Sequence, residues 1–115
     1  MIMILSKVFK GEDKMKRKSR KKIFNEIRKV FQEMQLENET SIACREMVLK
    51  EMDEMEEKYR PDWESVVMNA VMFIGVLNGT LTAEKANGID DGDDLRRELQ
   101  KVFELLAQYY ANEQE

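Results

Sequence analysis

The chain has no histidine, one cysteine and one proline in 115 residues, and each scarcity removes a class of answer. Without histidine, the Ser-His and Cys-His pairings of nucleophilic catalysis and the usual zinc ligand sets are closed. Cys44 alone cannot form an intramolecular disulfide, so no structural disulfide or metal is expected and no cofactor is implied. With 5 glycines, none grouped into a phosphate-cradling loop, the nucleotide-binding motifs are missing too. Few breakers beside many Glu, Lys, Leu and Met favour helix as the dominant state. The most informative absence is local: no charge of either sign lies between Glu64 and Glu84, in a chain 37% charged.

That uncharged stretch organises the rest. From Val66 to Leu77 only Asn69 is clearly polar, and the apolar residues cover nearly the whole helical circumference, which predicts a helix over 62–77 packed on several sides. Asp62, after Pro61, is its expected N-cap, and Asn78-Gly79 its expected left-handed stop. The run is long enough to suggest a bilayer span, but Asn69, Gly75 and Asn78-Gly79-Thr80 interrupt it, so no membrane crossing is expected. MIMIL at the start is followed by charge rather than preceded by it, and reads as no secretory signal. A cytoplasmic location is the default.

Three amphipathic segments surround this one. Ile23, Ile27, Val30, Phe31 and Met34, with Phe24 at the edge, predict a helix near 20–36 whose outer face carries Arg20, Lys21, Arg28 and Lys29. Cys44, Met47, Val48, Met52, Met55 and Tyr59 predict a second over 41–59, capped by Thr40 or Ser41 and ended by Arg60-Pro61. After Asn78-Gly79, TLTAEKANG predicts a short helix stopping at Asn87-Gly88. Leu95, Leu99, Val102, Phe103, Leu106, Tyr109 and Tyr110 then mark a final helix over 93–111, with Asp91, Asp93 and Asp94 at the end where acids are favourable. The expected fold is all-α, a compact bundle or orthogonal array of about four helices. Residues 20–115 form that single domain, and 1–19 form a partly ordered basic arm. Within the arm, 1–9 fit a strand or a helix equally, and Gly11-Glu12-Asp13 reads as a turn.

The net charge of −4 conceals a polarity. Residues 1–29 hold 11 Lys/Arg against 3 Asp/Glu, and residues 30–115 hold 8 against 20. Lys14, Lys16, Arg17, Lys18, Arg20, Lys21 and Lys22 are the candidate nucleic-acid contacts, because clustered cations displace counterions from a phosphate backbone. No aromatic is interleaved among them, which argues against a base-stacking single-strand binder. The bland alternative is a solvated helix extension. Glu46, Asp53, Glu54 and Glu57 form the candidate partner-binding surface, for which a solvated acidic face is the plain reading.

Other patterns are weaker. LTAEKANGIDDGDDLRREL has the outline of a helix-turn-helix, but its second helix would present four aspartates to DNA. Counting Asn87 as loop position 1 partly matches a calcium loop, yet Ile89 would fall on a ligand position and helix capping explains the acids more simply. Glu51, Glu54 and Glu57 have the ExxE spacing with which helical nucleotide pyrophosphohydrolases hold Mg²⁺, but the next helix offers only Glu64 and no following Asp. The methionines of the second and third helices could form an adaptable partner groove, though more often such residues fill a core.

The favoured reading is a small non-enzymatic accessory or regulatory protein. Its helical body would bind another protein or itself, as a homo-oligomer joined through the second or last helix, while the basic arm contacts DNA or RNA. The alternative is an acidic body that inhibits a basic, nucleic-acid-binding partner. A Mg²⁺-dependent pyrophosphohydrolase is the distant third.

Overall fold

Local chemistry sets most helix boundaries in the computed structural model, which describes residues 20–113. The expected strand or helix at 1–9 and the turn at 11–13 lie outside the described residues. Among the described residues there are four helices and no strand: α1 at 20–33, α2 Glu39–Tyr59, α3 Trp63–Ala86 and α4 Asp93–Glu113. Short connections join them, so consecutive helices run in opposite directions. The ring contact between Phe24 and Trp63, with centroids 5.9 Å apart, sets the start of α1 beside the start of α3. The expected all-helical fold is thus observed.

One core joins all four helices. Phe24, Ile27 and Phe31 of α1, Val48 and Met52 of α2, Val66, Ala70 and Ile74 of α3, and Leu95, Leu99 and Val102 of α4 are shielded from solvent. Each set follows helical spacing, so the periodicity that forms each helix also points it at the others. Asp62 caps α3 by accepting the Ser65 N–H at 3.2 Å and the Ser65 hydroxyl at 2.7 Å, and these bonds hold its carboxyl below the usual aspartate range. Arg60 takes an extended ψ of 139° before Pro61, as the proline ring requires, and α2 ends there.

Several expectations are corrected. Asn38, not Thr40 or Ser41, caps α2, accepting the Thr40 N–H at 2.8 Å. Asn78-Gly79 does not end α3, which runs on to Ala86, 24 residues in all, and absorbs the short helix expected after it. Leu77 and Leu81, one turn apart, are both buried, and keeping both on the core stripe requires unbroken helix through Gly79. Burying them outweighs the ~1 kcal/mol that a mid-helix glycine costs. Thr80, inside the continuous helix, donates its hydroxyl to the Val76 carbonyl at 3.0 Å. The stop comes at Asn87-Gly88. Gly88 has φ +83°, the Gly88 N–H reaches Lys85 O at 3.0 Å, and the Ile89 N–H reaches Glu84 O at 2.9 Å.

The third helix is also less enclosed than its composition suggests. Val66, Val67, Ala70, Ile74, Leu77 and Leu81 face inward, but Met68, Met72 and Val76 are open to solvent. By length and composition α3 could cross a bilayer, the interruptions foreseen at Asn78-Gly79 having vanished into the helix. Met47 of α2 and Tyr110 of α4 lie at the margins of their stripes and are exposed. At the entry to α4, Gly92 stands at the cap position, its carbonyl accepting the Arg96 N–H at 2.9 Å. A Cβ there would lie 2.4 Å from a Leu81 methyl carbon, so any larger residue would have to displace the end of that side chain.

Candidate functional site

Lys21, Lys22 and Lys29 emerge on one open side of α1. With Asn25 and Glu26 they line a shallow surface hollow, a consequence of helical spacing at positions 21, 22, 25 and 29. Lys22 pairs loosely with Glu26 at 4.0 Å, and the Lys21 ammonium sits 5.6 Å from the Trp63 ring centre. Arg20 lies 3.9 Å from Glu64 of α3. These neighbours leave most of the local positive charge facing water. Lys14, Lys16, Arg17 and Lys18 lie outside the described residues. Lys29 continues the cationic side two turns further along α1, and extending the helical spacing from Lys21 and Lys22 finds it.

Arg28, expected on the same outer face, is turned the other way. Its guanidinium stacks over Phe24 at 4.7 Å and binds Glu56 at 2.6 Å and Asp53 at 3.3 Å, clamping α1 to α2. Asp53 is therefore engaged within the body, although it belongs to the expected partner surface. Of the other acids there, Glu46 pairs with its neighbour Arg45 at 3.0 Å, while Glu54 and Glu57 are exposed on α2. The acidic and basic surfaces thus lie on adjacent helices with Arg28 bridging them.

A second cluster escaped the sequence reading. The linker 34–38 between α1 and α2 is not helical, and α4 supplies its acceptors. Asp94 takes the N–H groups of Glu37 at 2.8 Å and Asn38 at 3.0 Å, and the hydroxyl of buried Ser41 lies between its carboxylate and the Asp91 carbonyl. One turn on, Glu98 accepts the Gln35 N–H at 2.7 Å and the Lys101 ammonium at 2.6 Å. Burial works to raise the Asp94 pKa, but the bonds from Asn38, Ser41, Glu37 and Leu95 prevail and lower it to about 2. Lys101, and then the Gln35 N–H, lower that of Glu98. Lys85 joins the end of α3 to the α4 entry through Asp90 at 2.8 Å and Asp93 at 2.7 Å.

This cluster bears on two patterns in the sequence. Of the acids at ligand positions in the calcium count (Asp91, Asp93 and Glu98), Asp93 is bonded to Lys85 and Glu98 to the Gln35 N–H and Lys101, and both lie within α4. The first helix of the apparent helix-turn-helix is the end of α3, and the carboxylates of Asp94 and Glu98 at the start of the second turn into the body. Among the described residues no group of three or more His, Cys, Asp or Glu side chains is arranged to hold a metal ion. Burial, with Glu84 adding, raises the Cys44 thiol pKa, which keeps it a poor nucleophile. Compared with known proteins, the chain matches no family model, no curated protein and no solved structure.

Proposed function

We propose that this chain is a small non-enzymatic accessory or regulatory protein. Its helical body docks a protein partner or a second copy of itself, and its cationic side engages nucleic-acid phosphates. The observation that carries this reading is the shared exposure of Lys21, Lys22 and Lys29 on α1, directly following the Lys14, Lys16, Arg17 and Lys18 run. Phosphates spaced along a backbone reward such a row of cations, and the energy comes from released counterions. The test is a gel shift of duplex DNA and of RNA across a salt series, comparing the full chain with Lys21→Gln, Lys22→Gln and Lys29→Gln combined. Binding should weaken, and on duplex DNA the slope of log affinity against log salt should drop by about 0.9 for each lysine removed. Absence of any salt-sensitive shift, or an unchanged slope, would refute the reading.

The second reading, an acidic body that occupies a basic partner, is supported by the exposure of Glu54 and Glu57 on α2. Charge reversal at these two positions should release a co-purifying basic protein while leaving the lysine-dependent shift intact. A partner retained by the reversed variant would remove it.

A further inference from the structure

The outer face of α3 has the composition of an interior without a cover. Met68, Met72 and Val76 are 54%, 65% and 71% exposed. Beside them Gly75 and Gly79 leave the backbone bare, with nothing within 4 Å of where a Cβ would stand. A solvated helix face normally carries charge, and a mid-helix glycine weakens a helix unless something needs the space. Here neither Lys, Arg, Asp nor Glu occurs from Ser65 to Ala83. Large apolar side chains flanking bare backbone form a surface shaped for close apolar contact.

The start of the described chain indicates what covers it. Arg20 lies 3.9 Å from Glu64 and shares one hollow with Glu64, Met68 and Tyr110, so the described chain begins beside the first exposed methionine of the face. Those residues divide sharply: seven of the first nine, Met1, Ile2, Met3, Ile4, Leu5, Val8 and Phe9, are apolar, and a strongly charged stretch follows. The ten residues 10–19 can reach at most about 35 Å. The face from Met68 to Val76 is about 12 Å long. An apolar segment on so short a tether has an effective concentration on the order of millimolar, above that of any second copy in dilute solution. We propose that residues 1–9 pack on the outer face of α3 of the same chain, covering Met68, Met72 and Val76. The contact is independent of whether the lysines bind phosphate.

Methionine oxidation reads this directly. The full-length chain is treated with dilute hydrogen peroxide, and sulfoxide formation is followed residue by residue by mass spectrometry, beside an Ile4→Asp, Leu5→Asp double variant. Met47, 46% exposed on α2, is the open reference, and Met52, 1% exposed, reports that the body is folded. Met68 and Met72 should oxidise several-fold more slowly than Met47 in the native chain. In the double variant they should match or exceed Met47, while Met52 stays protected. The native protection should persist on dilution from micromolar to nanomolar protein. Met68 and Met72 reacting as fast as Met47 in the native chain, or protection that ignores the double substitution, overturns the proposal. Protection lost on dilution also overturns it and assigns the face to a second copy.

Discussion

Asp94, in the first turn of α4, accepts the backbone N–H of Asn38, the residue that caps α2, at 3.0 Å. One carboxylate thereby fixes the start of one helix from inside another. The same side chain faces the buried hydroxyl of Ser41, so three elements, the linker 34–38, α2 and α4, meet at a single charged group.

Ser41→Ala removes the donor beside this carboxylate without creating space for a replacement. Hydrogen bonds to charged groups contribute about 1.5–3 kcal/mol, and a loss in that range is expected in urea unfolding of the variant. Thr40→Ala, one residue earlier on an exposed position, should cost far less.

The acid limb of stability should belong largely to Asp94. Its folded pKa, about 2, lies below the ordinary aspartate value of 3.8, so the unfolded chain takes up its proton first. The stabilisation is therefore present above pH 4 and is lost as pH falls from about 4 to about 2, amounting to roughly 2 kcal/mol. Glu98, lowered in the same sense, adds to the slope. Asp94→Asn should lower stability at neutral pH and flatten the acid profile, as measured by thermal melts between pH 2 and 7.

Arg28 spans α1 and α2 with a planar group that lysine cannot imitate. Its side chain is 19% exposed, stacks on Phe24 and reaches Glu56, Asp53 and Asn25. Arg28→Lys should lose about 1–2 kcal/mol in chemical denaturation despite keeping the charge, because the fork and the stacking are both gone. Lys29→Gln, on the exposed neighbour, should leave stability within about 0.5 kcal/mol.

The continuity of α3 separates two glycine sites. Gly79→Pro should cost about 3 kcal/mol or more, since proline inside a helix removes a hydrogen bond and clashes with the preceding turn. Gly88→Ala should cost about 1–2 kcal/mol, the penalty for a Cβ in the left-handed region that φ +83° occupies. Were α3 to end at Asn78-Gly79, the proline would be tolerated in thermal melts.

Much of this architecture is legible along the chain. The apolar spacing in α1, α2 and α4 marks the stripes that meet the core, with Met47 and Tyr110 at their exposed margins, and Asp62, Pro61 and Asn87-Gly88 mark real boundaries because each acts on its own backbone within a turn. Asn78-Gly79 carries the same kind of local signal and is overridden, since a stop there would pull Leu77 and Leu81 off a common stripe. The basic side of α1 is equally readable for Lys21 and Lys22. Arg28 is not, because its direction depends on Glu56 and Asp53, twenty-five or more residues away. Asp94 and Glu98 look like helix-end acids in the sequence, and only the neighbouring linker reveals their second task.

The sequence by itself determined an all-helical fold, the stripes buried by α1, α2 and α4, and the separation of an N-terminal excess of cations from an anionic remainder. These follow from capping, backbone propensity and periodicity, whose range is a few residues. Tertiary structure alone decided that α3 runs unbroken to Ala86, that Met68, Met72 and Val76 on one side of it fall outside the four-helix core, and that α4 carboxylates hold the linker between α1 and α2. Burial and desolvation settle such matters, and they depend on which surfaces meet in space rather than on which residues are neighbours in the chain.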